Sequence, residues 1–192
     1  MKNFGYFILI LLMSVSLMAT SLDLGNSIFY NNEGSINLVV DAGVAVRNLD
    51  SPYVLFVLYM SADKKISAHI NREDVVLVYN DQEYVMPDLA EFRKNYNSDS
   101  RDHQIYSRLG KESLFLSDMR YFLFNRFYDF FPVKASGILP VDNGYISSNF
   151  GFKSKAYFKN PGFKSGDSVV IKVRDKNNPE IWGSVVVELP SQ

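Results

Sequence analysis

Apolar and polar positions along this chain follow a period of two over most of its length and lose that period in one internal stretch. From Ile36 to Met86 short runs rich in branched and aromatic residues are separated by turn chemistry. Ile36 to Val46 reads as a strand with a bulge or bend at Ala42-Gly43, followed by the turn cluster Asn48-Leu49-Asp50-Ser51-Pro52. Tyr53 to Met60 is apolar at both parities, the mark of a central strand covered on both sides. Asp74 to Tyr79 and Glu83 to Met86 flank Asn80-Asp81-Gln82, which reads as a hairpin with a short polar loop.

The period changes at Pro87. Asp88-Leu89-Ala90-Glu91 has the form of a capping box, with Asp88 at the N-cap and Glu91 at the third helical position, opening a helix to about Tyr96. A polar gap, Asn97 to Ser100, precedes a second helical stretch that ends at Leu109-Gly110. A third helix is expected from Ser117 to Phe131. On a helical wheel Asp118, Asn125, Arg126 and Asp129 share one arc, while Met119, Leu123, Phe124, Phe127, Tyr128, Phe130 and Phe131 fill most of the rest. Such a helix either packs across an open end of the fold or docks on a partner or a membrane, packing being the better use of so much aromatic area.

Alternation returns after Pro132. Tyr145 to Phe150, Lys155 to Phe158, Ser168 to Arg174 and Ile181 to Leu189 read as strands. In the last of these Ile181, Gly183, Val185, Val187 and Leu189 share one face, and Trp182, Ser184, Val186 and Glu188 the other, as a sheet with one wet face requires. About seven strands at regular turn spacings predict a mainly β fold, an immunoglobulin-like antiparallel β-sandwich with an α-helical insertion at about residues 88–131.

The amino terminus changes the picture in a different way. Lys2 supplies a positive start, Phe4 to Met13 is almost unbroken apolar sequence, and Ala19-Thr20-Ser21 places small residues where a signal peptidase cuts. The run is shorter than the roughly 20 residues a membrane-crossing helix needs. Residues 1–21 are therefore expected to be a signal peptide, with Ser16 as a rival end, leaving 22–192 as a single β-sandwich domain with no integral membrane span. No cysteine is present to carry a lipid or a disulfide. The expected location is export, to the periplasm or outside the cell, in a bacterial envelope.

Lys2 is the only charged residue of the first 21, so the remainder holds 19 basic against 21 acidic residues, a balance that argues against nucleic acid as a partner. Within it, Lys153 to Lys176 is locally basic. On a strand Lys153, Lys155, Tyr157 and Lys159 point one way, and Lys172 and Arg174 share a face of theirs. These six residues with Trp182 form the candidate contact surface, for a protein or an anionic envelope component, or for a glycan stacked on the indole. The competing use of the lysines is a solvated face that discourages edge pairing, and Arg174 or Lys172 stacked on Trp182 would account for the indole without a ligand.

Catalytic signals are weak. His69 and His103 are the only histidines; Asp102 beside His103 offers a carboxylate neighbour, but adjacent helix residues do not face each other, and no nucleophile motif accompanies either. Two imidazoles and no thiol make zinc a poor expectation. Asp175, Asn177 and Glu180 would give a calcium ion three oxygens from one loop, although the same residues are what a turn prefers. A paired-carboxylate hydrolase needs two acids brought together in space, which spacing does not reveal. The sequence thus predicts an exported, non-catalytic binding or structural interaction module without a cofactor or metal, with a carbohydrate-binding module and a carboxylate-based hydrolase as alternatives.

Overall fold

The computed structural model describes residues 21–63, 65–109, 123–134 and 136–189. The expected signal peptide lies outside the described residues except for Ser21, whose Oγ accepts a hydrogen bond from Val186 N at 2.6 Å. A cut after Ser21 would remove this bond, whereas an earlier cut would keep it.

The chain is mainly β, with several sheets. One sheet has six strands: β1 (Leu22–Asp23), β2 (Ile28–Asn31), β3 (Ile36–Asp41), β4 (Tyr53–Ala62), β12 (Phe150–Lys159) and β8 (Leu123–Asn125), in that spatial order. A second has four, in the order β14 (Trp182–Glu188), β13 (Ser168–Arg174), β6 (Val75–Tyr79) and β7 (Gln82–Val85). Two ribbons complete the set: β5 (Ser67–Asn71) with β11 (Asn143–Ser147), and β9 (Tyr128–Asp129) with β10 (Leu139–Pro140). Inward residues of the four-stranded sheet, among them Leu77, Ile171, Val173, Val185 and Val187, join Ile36, Leu38, Phe56 and Leu58 of the large sheet in one core. This gives a sandwich-like pair of layers.

Every residue of β4 is buried. Its second face lies under α1 (Gly43–Arg47), α2 (Leu89–Asn95) and the segment around Phe131, which explains a strand apolar at both parities. Phe92 of α2 is the hub there, its ring 4.4 Å from Tyr157, 4.9 Å from Phe131, 5.4 Å from Tyr96 and 5.5 Å from Tyr53. Glu91 N donates to Asp88 Oδ1 at 2.7 Å, so Asp88 is the N-cap its sequence context indicates. The hairpin also forms as expected: Asn80 and Asp81 both have positive φ, the backbone a two-residue turn between right-twisted strands demands.

Several sequence expectations require correction, among them the strand expected from Tyr145 to Phe150, which is divided between β11, ending at Ser147, and β12, starting at Phe150. The strand from Ile36 to Val46 ends at Asp41, because the Asp41 carboxylate accepts Gly43 N at 2.8 Å and turns the chain into α1. The helix from Ser117 to Phe131 is not present in its described part, residues 123–131, which contains β8 and β9 instead; residues 117–122 lie outside the described residues. The aromatic residues that filled the wheel have different tasks. Phe130 packs on Phe152 on the sandwich side, Phe131 packs on Phe92 and Tyr157 on the helical side, and Phe127 is 72% exposed.

This arrangement follows from an unfinished sheet edge. β8 pairs only with Phe150 to Phe152, which leaves the rest of β12 without a neighbour on that side. Asp129 takes the place of the missing strand: its Oδ1 accepts Lys155 N at 3.0 Å, Ser154 Oγ at 2.9 Å and Phe131 N at 3.1 Å, and its Oδ2 pairs with Lys155 Nζ. Phe130 N in turn donates to Ser154 Oγ at 2.9 Å. The segment crosses the strand edge here, so successive phenylalanines enter opposite layers.

Candidate functional site

The residues singled out from the sequence divide between the two sheets. On β12 the expected outer lysine face is a covered one. Lys155 is 7% exposed and ion-paired with Asp129, and Tyr157 is fully buried in the aromatic cluster around Phe92. Lys153 lies with its Nζ 5.3 Å from the Tyr59 ring centroid and 5.0 Å from that of Tyr106, while Lys159 is exposed at the strand end. The helical layer covers this face, a fact that alternation within β12 alone cannot carry. These four residues do not form a continuous basic surface.

Lys172, Arg174 and Trp182 do come together, on the outer face of the four-stranded sheet. Arg174 is the cross-strand partner of Trp182 and Lys172 that of Ser184. With Glu33 and Glu83 they border a hollow of about 290 Å³. Lys172 Nζ stands 3.8 Å from Glu83 Oε1, and both side chains are about half exposed, so this pair contributes little to stability. Trp182 is 38% exposed. Among the described residues no aromatic ring and no cation stacks on the indole, so neither Arg174 nor Lys172 occupies its face.

Two glycines build this hollow. A Cβ on Gly183 would strike the Ile36 carbonyl, and one on Gly34 would strike the Trp182 carbonyl. Their absence lets the turn between β2 and β3 lie directly over the start of β14, and the same turn delivers Glu33 beside Trp182. Sequence reading missed Glu33 and Glu83. Nothing local marks either: Glu33 stands in an ordinary polar turn and Glu83 beside a hairpin loop, and only the packing of the sheets makes them neighbours.

The histidines lie apart. His69 Nδ1 is 3.2 Å from Asn143 Oδ1 and its ring rests near Tyr145, linking β5 to β11. His103 belongs to α3 (Asp99–Leu109); its Nδ1 is buried and has no hydrogen-bond partner among the described residues, and burial followed by the neighbouring Lys155 charge pushes its pKa down. Adjacent Asp102 points elsewhere, accepting Tyr96 OH at 2.6 Å and Tyr157 OH at 3.2 Å through Oδ2. Burial is the main influence on Asp102 and raises its pKa.

In the loop considered for calcium, the Asp175 carboxylate is committed to backbone amides. Oδ1 accepts His69 N at 2.6 Å, and Oδ2 accepts Asn177 N at 3.0 Å and Asn178 N at 2.8 Å. Among the described residues no three His, Cys, Asp or Glu side chains group as a metal site would require. Nor is any described helix long and apolar enough to cross a membrane. Compared with models of protein families, with curated proteins and with solved structures, the chain matches none.

Proposed function

We propose that this chain is an exported, non-catalytic binding module of the cell envelope, built on an immunoglobulin-like scaffold, whose contact point is Trp182 on the outer face of the four-stranded sheet. The observation that carries the reading is the open indole: a large apolar ring 38% exposed and unstacked, in a hollow ringed by two cations and two carboxylates. An apolar platform with a few convergent polar groups is the usual composition of a recognition site. The alternative of a carbohydrate ligand is favoured over an anionic one by the same geometry. Lys172 and Arg174 are balanced by Glu33 and Glu83, whereas a stacked sugar ring needs an aromatic face with donors and acceptors at its rim.

The hydrolase reading has less support. Glu33 and Glu83 do border one hollow, but both lie on an open sheet face, Glu83 is ion-paired with Lys172, and no enclosed floor holds them around a scissile bond. Because Trp182 is the only tryptophan, its emission reports directly on this site. Titration of the full chain with envelope polysaccharide fragments and, separately, with a polyanion such as heparin is expected to shift that emission saturably with the glycan. Glycan binding followed by calorimetry should be lost in Trp182→Ala, which removes the aromatic platform. No saturable change with either probe would refute the Trp182 contact, and a response to heparin alone would refute the carbohydrate reading.

A further inference from the structure

On the far side of the six-stranded sheet from Trp182, a polar cleft of about 340 Å³ opens between the loop before β4 and the connection from α2 to α3. Asn48, Ser51, Asn95, Asn97, Arg101 and Asp102 contribute to its walls, with Tyr96 and Pro52 the main apolar surfaces. Its volume falls at the small end of the range, roughly 300 to 1,000 Å³, typical of small-molecule sites.

Asp102 gives the cleft its chemistry. The residue is 2% exposed, and its two oxygens are unequally served. Oδ2 takes both tyrosine hydroxyls, while Oδ1 has one hydrogen-bond partner among the described residues, Asn48 Nδ2 at 3.4 Å. A carboxylate oxygen accommodates about two hydrogen bonds, so a buried acceptor retains capacity beside a lined cavity. The walls are held in place without a ligand. Asn160 Nδ2 donates to Leu49 O at 2.6 Å and to Ser51 O at 2.8 Å, and Ser51 Oγ lies 3.2 Å from Tyr96 OH. Such a site pays little ordering entropy on binding.

We infer that this cleft binds a small neutral polyhydroxylated molecule, a single sugar residue or cyclic polyol, with one hydroxyl donating to Asp102 Oδ1 and others meeting the Asn and Arg101 side chains. An anion entering the cleft meets Asp50 and Asp102, and a cation meets Arg101. A neutral ligand with adjacent hydroxyls satisfies carboxylate, amide and guanidinium groups alike, since each hydroxyl both donates and accepts. The site is separate from Trp182 and does not depend on the reading of that surface.

The test is a ¹H–¹⁵N NMR titration of the full chain with glucose, galactose, N-acetylglucosamine and myo-inositol. Saturable shifts are expected at the amides of Asn48, Ser51, Asn97 and Arg101 with at least one of these probes. Arg101→Ala and Asn97→Ala change exposed residues and should retain the folded spectrum. Loss of the Arg101 contact, a charge-assisted hydrogen bond, should weaken binding by about tenfold or more, and Trp182→Phe should leave it unchanged. The inference is overturned if none of the four probes gives saturable shifts up to ~100 mM, a limit beyond which affinity is negligible. Shifts confined to the Trp182 face, or binding that both rim variants leave intact, would overturn it equally.

Discussion

Asp129→Asn isolates the device that closes the edge of β12. The substitution keeps a side-chain oxygen for Lys155 N, Ser154 Oγ and Phe131 N but removes the charge opposite Lys155 Nζ, in a setting where both residues are less than a tenth exposed. Breaking one half of a buried ion pair costs about 3 to 5 kcal/mol, because the remaining charge stays desolvated. Against a total stability of roughly 5 to 15 kcal/mol, that is a large fraction. Lys155→Met should cost less, about 1 to 3 kcal/mol, since the Asp129 carboxylate keeps three donors. In the double variant both charges are gone and the amide still serves the strand edge, so its loss should fall well below the sum, with a coupling of about 2 kcal/mol or more. Urea unfolding followed by Trp182 emission and by far-ultraviolet circular dichroism measures all three. A solvated lysine face predicts changes within about 0.5 kcal/mol for Lys155→Met. That result, or strict additivity in the double variant, would refute the edge-plug account.

Other consequences can be checked in the same way. Gly183→Ala places a Cβ against the Ile36 carbonyl, backbone that cannot rotate aside, so its urea midpoint should drop by the equivalent of about 2 kcal/mol or more; an unchanged midpoint would mean the two sheets approach less closely than described. Asp102 has a folded pKa above its unfolded one, with burial the chief cause. Its contribution is therefore fully present below the unfolded pKa, near 3.8, and is lost as pH rises through the folded value. The stability of the wild type relative to Asp102→Asn should decline as pH rises above the unfolded value, and a difference that stays flat or grows with pH would contradict the assignment.

What the sequence by itself determined was local and periodic. The double-parity burial of β4, the Asp88 cap, the hairpin around Asn80-Asp81-Gln82 and the two-faced β14 all depend on spacings of a few residues, and each is present in the structure, the hairpin with Gln82 already in its second strand. The sequence was also sufficient to place Lys172, Arg174 and Trp182 on one sheet face, since strand parity and one hairpin register decide it. Tertiary structure alone decided which faces are covered. Lys155 and Tyr157 keep the parity their spacing requires, yet that parity turns them toward a helical layer from residues some 25 to 65 positions earlier. The segment from Leu123 to Phe131 shows the same limit from the other side: its aromatic density suits a helix, and only the open edge of β12, far along the chain, makes an extended strap the better solution. Both hollows belong to this second kind. Glu33 reaches Trp182 because two glycines permit a close crossing, and Asp102 faces Asn48 because α3 packs against α1, the helix that Asn48 ends, contacts between residues that share no local pattern.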